Sequence, residues 1–401
     1  MRITIHGSYG TGNRGDNSIL YQLLHLLEGL VPQAELSILC RDVRRVSLFI
    51  STEFPDSPLR FRLLPVSFRK QPLQVLGACL GCDLFILGGG GLLWGRAPGN
   101  LSYWLLRPRL AKLAGKRLVF YVPGVYGIQG RRALRLLRGT ALKADFISVR
   151  DTEGLKQLKD AGVPAERVLE GADPAFLLPP ASEERTRSLL DALGLEDKRL
   201  VGLSARDWRA RLSAGIFAKC VQHILSDDNT VLLFFVYKSG GFLGETDTDD
   251  LNVAGSLLRT LDPDTAKRVV IVDDNYSIAE FIALTGACDF LIGMRLHSLI
   301  FATIVGTPMG AVAYDDKISA YMRMIGREDF VLTMKDVTNP DMVDHLVEKL
   351  SEERRRLGEG RVAEIRARAA GMTELAENVH RRLAKHMREW FPSEVSGEDP
   401  S

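Results

Sequence analysis

The 401-residue sequence predicts an α/β protein: two Rossmann-like domains with parallel sheets that face a central cleft. Three observations carry that expectation. Short β-rich runs alternate with segments whose apolar residues recur at helical spacing. The runs are continuously apolar, as strands covered on both faces are. The alternation also stops at a polar stretch near mid-chain and then restarts, and the length suffices for two cores of ordinary size.

Taken in order, the first strands are ITIHG, ELSILC, RLLPV, DLFILG, RLVFYVPG, FISVR and RVLEG. Helix-like stretches such as NSILYQLLHLLEGL separate them. After PAFLLPP comes ASEERTRSLLDALGLEDK, polar enough for a linker plus one helix. The second series is LVGLSAR, VLLFFVYK, RVVIVD, DFLIGM and MGAVAY. The expected organisation is therefore an N-terminal domain over 1–178, a linker and helix over 179–198, and a second domain over 199–340. A helical tract over 341–390 and a polar tail over 391–401, expected to be disordered, complete the chain.

The longest apolar run, VLLFFVY, is of buried-strand length and falls short of the roughly 18 to 20 residues that span a bilayer. The sequence opens directly on a strand, without a charged leader or apolar h-region, so a cytoplasmic location is expected. Cys79 and Cys82 form a C-x-x-C, but no second pair stands at zinc-ribbon spacing, and core packing is the expected role. The net charge of +2 hides an asymmetry: residues 1–178 hold 24 basic and 14 acidic side chains, the remainder 28 and 36. The excess includes Arg107, Arg109, Lys112, Lys116 and Arg117, then Arg131, Arg132, Arg135 and Arg138. Solvated helix faces would explain it, as would attraction to a phosphorylated acceptor, or to anionic headgroups with a peripheral contact at the inner face of the membrane. Nucleic acid is not an expected partner, because no interleaved aromatics or binding module accompany these charges.

Ligands of open α/β sheets bind beyond the carboxyl ends of strands, so the residues there carry the functional reading. In SYGTGNRGDN, Gly10, Gly12 and Gly15 have G-x-G-x-x-G spacing, as in a dinucleotide fingerprint. That fingerprint wants an acid about 20 residues further on. The nearest strand-closing acid, Asp42, stands 27 residues past Gly15 and is followed by Arg44 and Arg45. Asp16, at the head of the helix, would also oppose a pyrophosphate. The loop is therefore expected to border the cleft, with Asn13 and Asp16 as polar contacts to acceptor hydroxyls, or with Asp16 as a helix cap.

Three further strand ends stand out. Gly88 to Gly91 follow DLFIL, where the lack of side chains suits either close approach of a ligand, at Gly89 and Gly90, or a tight turn into a helix. Arg150 ends FISVR, and Asp151 is placed to cap the helix TEGLKQLKDAG. DFLIGM runs into Arg295 and His297 at the head of SLIFATIV, an anion site with a titratable group attached. The next strand delivers Asp315, Asp316 and Lys317 to the same edge. If these ends converge, Arg150, Arg295, Lys317 and His297 suit a small, multiply charged anion that needs proton transfer, best a phosphate ester bearing a carboxylate.

On GTGNRGDNSIL, DLFILGGGGLL, SVRDTEGLKQLKDAGV, DPAFLL and GMRLHSLIFATIVGTPMGAVAYDDK, the sequence resembles the polysaccharide pyruvyl transferase family. The resemblance spans Ile3 to Ile325, and MRLHSLIFA is its most specific part. It implies a GT-B-like fold and transfer of pyruvate from phosphoenolpyruvate. The product would be a cyclic ketal on a sugar of a surface polysaccharide or of its nucleotide- or lipid-linked precursor. It implies no metal and no cofactor beyond that donor. Arg150, Arg295, His297 and Lys317 match the family's functional positions, with Leu296 and Ser298 beside them in the substrate-binding segment. The Gly- and acid-rich VYKSGGFLGETDTDD departs from the pattern and leaves the acceptor open. The rival readings are a GT-B glycosyltransferase using a nucleotide sugar, an NAD-dependent oxidoreductase and a non-catalytic sugar-binding protein. No E-x7-E acid pair supports the first of these in the second half.

Overall fold

The computed structural model describes residues 1–67, 70–95, 98–206, 221–240 and 249–395, with residue 98 and residues 357–362 by backbone alone. The chain divides into two units. Met1–Leu177 and Met372–Ser401 form the first, and Leu178–Gly371 the second.

In the first unit, the strands in chain order are β1 (Arg2–His6), β2 (Glu35–Cys40), β3 (Arg60–Pro65), β4 (Leu84–Leu87) and β5 (Gly90–Trp94). They continue with β6 (Arg117–Phe120), β7 (Pro123–Tyr126), β8 (Phe146–Val149) and β9 (Leu169–Glu170). Seven of them form one parallel sheet in the order β3-β2-β1-β4-β6-β8-β9, while β5 and β7 pair separately, also in parallel. The chain starts at the centre, walks outward to β3, returns beside β1 as β4, and walks out the other way. Right-handed crossovers then put the helices Arg14–Leu30 and Val43–Glu53 on one face. On the other face, Pro72–Gly81, Pro98–Leu113, Arg131–Ala141 and Thr152–Asp160 pack in a row.

Two features of this unit depart from the sequence reading. RLVFYVPG is not one strand: it breaks into β6 and β7 at Val122, whose φ of 43° no β-branched residue adopts without strain. The glycine run does not turn into a helix either, since Gly90 opens β5. Cys79 and Cys82 are core side chains whose thiols burial pushes up to about 12 and about 11.

The second unit repeats the plan with β10 (Arg199–Ser204), β11 (Thr230–Phe235), β12 (Val269–Val272), β13 (Phe290–Gly293), β14 (Met309–Ala313) and β15 (Val331–Thr333). Its parallel sheet runs β12-β11-β10-β13-β14-β15, so the order again reverses, here between β10 and β13. The three-residue β15 is absent from the sequence reading; VLT is too short to register against its polar flanks. A single helix, Pro340–Trp390, starts in this unit and ends in the first. In the second unit, Arg327 ties it down from inside. Its Nε donates to the Met309 carbonyl at 3.0 Å, and its two Nη groups reach the Glu353 carboxylate at 2.9 and 2.6 Å, all of it buried.

At the first unit's end of the helix, His380 Nε2 lies 2.6 Å from Tyr121 Oη. Burial, with a smaller push from His25, lowers the His380 pKa from 6.5 to about 4. Below about pH 6.5 the unfolded chain binds a proton that the folded imidazole refuses until about pH 4. Stability is therefore lost as pH falls through that window, by about 3 kcal/mol at its foot for this one group. Urea unfolding followed from pH 7 to pH 4 should show the decline. In His380→Gln the slope should be shallower, the remainder coming from groups such as buried His6, whose pKa burial also lowers.

Candidate functional site

Where strand order reverses, the segments leaving the two central strands part to opposite faces and open a crevice at the carboxyl edge. In the first unit those segments are the opening loop after β1 and the glycine run after β4. Asn13, not Asp16, caps the helix Arg14–Leu30: its side chain accepts from the Gly15 amide at 3.0 Å. Asp16 lies one turn in and is buried, with its carboxylate turned toward the glycines.

The four glycines are met in turn by the protein's own side chains. A Cβ on Gly88 would lie 2.0 Å from Tyr9 Oη, and one on Gly89 2.5 Å from Ile19 Cγ2. One on Gly90 would lie 2.6 Å from Asp16 Oδ1, and one on Gly91 2.7 Å from Tyr126 Oη. Gly90 also sits at φ 97°, which an L side chain rarely adopts. The bareness of the run is thus explained by packing at the crevice.

Arg150 leaves the end of β8 and is largely buried. Its Nη1 is 3.4 Å from buried Asp173, and its Nε is 3.4 Å from Asp151, which caps the next helix through the Gly154 amide. Burial works against the Arg150 charge, but Asp173 and Asp151 more than offset it and raise its pKa. Nη2 comes within 3.1 Å of where a Gly124 Cβ would stand, so the guanidinium rests on β7. Strained Val122 precedes that strand. Its amide donates to Ser148 Oγ at 3.1 Å, and Ser148 donates to the Phe120 carbonyl at 3.1 Å. Such an outlier, held by buried hydrogen bonds, is characteristic of functional sites.

The second unit's crevice lies between the ends of β10 and β13. The Met294 amide donates to the Ser204 carbonyl at 2.8 Å, and the Arg206 amide points at Met294 Sδ at 3.5 Å. Arg295 occupies the cap position of the helix Leu296–Val305 and grips Asp250 with Nε and Nη2. Asp250 has no exposed surface and also accepts from the Tyr237 and Lys238 amides at 3.1 and 3.0 Å. Burial raises its pKa, and Arg295 is the main opposing influence. The Arg206 guanidinium lies 4.7 Å from the Tyr314 ring centre, and Lys317 Nζ lies 5.4 Å from it. Lys317 belongs to the first turn of the helix Asp316–Met324 and pairs with Asp315 at 2.9 Å. The Arg206 pKa is lowered by burial and then by Arg295, the signature of two like charges held close.

His297 is half-buried in the first turn of its helix, beside Leu296. Ser298 is buried and turned back on the cap, its amide and Oγ both donating to the Arg295 carbonyl, at 3.0 and 2.6 Å. Its hydroxyl thus fixes Arg295, while the Leu296 and His297 end of the helix presents the positive pole of the dipole.

The residues singled out in the sequence therefore fall into two groups. Arg295, Leu296, His297, Ser298 and Lys317 gather in the second unit, just past the carboxyl ends of the adjacent strands β13 and β14. Arg150, Asn13, Asp16, Gly89 and Gly90 belong to the first unit. Sequence reasoning missed Arg206, Asp250, Tyr314, Val122 and Asp173. Arg206 was findable, since it closes LSAR just past a strand. Asp250 and Asp173 declare themselves only through the arginines they hold. Residues 241–248 of the Gly- and acid-rich stretch lie outside the described residues.

A family model described as polysaccharide pyruvyl transferase matches residues 13–316. The amylovoran biosynthesis protein AmsJ of Erwinia amylovora is 22% identical over 394 residues, covering 86% of this chain and 90% of that protein. Among solved structures, Anabaena HepE in complex with UDP superposes with a TM-score of 0.61 at 13% identity, over 97% of this chain and all of that one. The UDP-GlcNAc 2-epimerase of Neisseria meningitidis does so at 0.61 and 10%, over 96% and all of it. At such identities these structures establish the fold, which is GT-B-like.

The packing of the glycine run has a direct test. Gly88→Ala should cost about 1–3 kcal/mol by overpacking against Tyr9. Tyr9→Phe alone should be close to neutral, because Tyr9 Oη is buried without a hydrogen-bond partner among the described residues. Combining the two removes the nearest atom and leaves Cζ at 3.1 Å, so chemical unfolding of the double variant should recover most of the loss.

Proposed function

The chain belongs to the polysaccharide pyruvyl transferase family, and from that premise we propose that it moves the pyruvyl group of phosphoenolpyruvate onto a sugar. The sugar is that of a surface polysaccharide or of its nucleotide- or lipid-linked precursor; the product is a cyclic ketal, and phosphate is released. The observation that supports this reading is the gathering of Arg206 and Arg295 at one crevice, with Lys317 on the same tyrosine as Arg206 and His297 two residues beyond the cap. Asp250 holds Arg295 from one side and also offsets the Arg206 charge, and a donor bearing both carboxylate and phosphate supplies the same kind of anionic partner.

The chemistry needs one proton delivered and two removed. A proton added to the methylene carbon of phosphoenolpyruvate leaves C2 electrophilic. A sugar hydroxyl forms a C–O bond there and gives up its proton. The C2–O bond to phosphate then breaks, the leaving group taking the electron pair. A second hydroxyl of the same sugar bonds to C2, loses its proton and closes the ketal. Arg206, Arg295 and Lys317 offset the charge on the departing phosphate, with the helix pole at Leu296 assisting. His297 is assigned the proton transfer. Asp250 orients Arg295 through its two-point grip, and Ser298 holds the Arg295 carbonyl. No metal or further cofactor is assigned a part. The first unit, with Asn13, Asp16, Gly89 and Gly90, is assigned to the acceptor. The enzyme is assigned to the cytoplasm, where phosphoenolpyruvate and activated sugars are made.

A second reading, glycosyl transfer from a nucleotide sugar, shares the fold, and the HepE structures contain UDP. The two reactions differ in what they release. Incubation with phosphoenolpyruvate and a panel of nucleotide- and lipid-linked sugars should yield phosphate together with a pyruvyl mass gain on one acceptor. Nucleotide release without consumption of phosphoenolpyruvate would favour the second reading. In the same assay His297→Ala should lower kcat by roughly 10²- to 10⁴-fold while the protein stays folded. A folded His297→Ala variant with near-normal turnover would remove His297 from the mechanism.

A further inference from the structure

The helices Pro72–Gly81, Pro98–Leu113 and Arg131–Ala141 stand side by side on one face of the first unit's sheet. Among their 10, 16 and 11 residues there is not one acid. Outward faces of helices in water normally mix both signs of charge. These three instead grade from mainly apolar to mainly basic.

The first helix buries Val75, Ala78 and Cys79 in the core, yet its other side is also apolar. Leu73, Leu76 and Leu80 form a stripe at i, i+3 and i+7, and Leu73 is 81% exposed. A helix apolar all round belongs inside a protein or against another apolar medium. The next helix continues the theme outward with Leu106 and Leu113, the latter 77% exposed, and Arg109 between them. The third turns Arg131, Arg132, Arg135 and Arg138 to solvent. Where the second and third helices meet, Arg109, Lys112 and Lys143 line a recess beside Leu113.

We propose that this three-helix face docks on the surface of an anionic phospholipid bilayer, the leucines entering the acyl boundary and the arginines lying among the headgroup phosphates. The charge decides the occupant. Exposed leucines alone would suit many partners, but a basic border on helices that carry no acid, with Asp145 beside it already held by Lys112 and Arg117, asks for a dense field of negative charge beside an apolar layer, which a bilayer surface combines. A second copy of the chain would set two basic borders against each other in any two-fold contact. The attachment is peripheral in kind: among the described residues, no helix is long and apolar enough to cross a membrane. The inference rests on this surface and not on the reaction proposed above.

The full-length protein should cosediment with vesicles of mixed phosphatidylcholine and phosphatidylglycerol but not with phosphatidylcholine alone, and salt should weaken the binding. Leu73→Ser with Leu80→Ser should lower the partition coefficient roughly tenfold or more. Arg131→Gln with Arg135→Gln should lower it about fivefold for each charge removed. All four positions face water, so turnover of a water-soluble acceptor should be unchanged in these variants. Three results would overturn the proposal: no binding of the wild-type chain to anionic vesicles at low salt; binding unaltered in both double variants; or a concentration-dependent dimer that the leucine pair abolishes, which would make the face a contact between copies.

Discussion

The reversal of strand order is the constraint on which each unit depends. Both sheets start at their centre, at β1 and at β10, and send the chain first to one edge and then to the other. With right-handed crossovers, the loops after the two central strands must leave toward opposite faces. A crevice at the carboxyl edge follows from the topology before any side chain is chosen. The opening loop and the glycine run flank it in the first unit, and Arg206 and Arg295 in the second. The chemistry-bearing residues are grafted onto a position that the fold supplies twice.

Buried arginines then set what those edges can hold. Arg150 lies against Asp173 and Asp151, Arg295 on Asp250, and Arg327 on Glu353. A guanidinium taken from water is tolerated only if its fork of donors is met, and each is met by carboxylate or carbonyl oxygen. Their environments differ. Arg327 has both its carboxylate and the Met309 carbonyl deep in the core, and its role is to anchor the long helix. Arg295 has Asp250 on it and Arg206 close by, and Asp250 offsets the charge of both. The same residue type thus anchors a helix in one place and sits on a carboxylate at a crevice in the other, decided by its neighbours.

Much of the fold was legible because parallel strands buried on both faces read as unbroken apolar runs, and segments such as VLLFFVYK and DFLIGM leave little else to be. What escaped was set by contacts between distant segments. Gly90–Trp94 is a strand only because β7 lies beside it, and β7 exists only because Val122 turns the chain out of β6. Asn13 and Asp16 are both competent caps, and the choice of Asn13 follows from the approach of Gly90 to Asp16. In the site, Arg295 and His297 were marked by their place at a strand end. Arg206 has the same kind of place, but its meaning depends on β10 and β13 being neighbours although some 85 residues apart in sequence. Local pattern shows which residues could act, and strand order shows which of them meet.

If the crevice of the second unit takes a small anion with two charged ends, as proposed, phosphoenolpyruvate should bind there on its own. Direct calorimetric titration of the protein with phosphoenolpyruvate tests it without an acceptor. Saturable one-to-one binding is the expected result for the wild-type chain, weakened roughly tenfold or more in Arg206→Gln, where one charge-assisted contact is lost. Absence of binding to the folded wild-type chain, or equal affinity in the variant, would contradict the account.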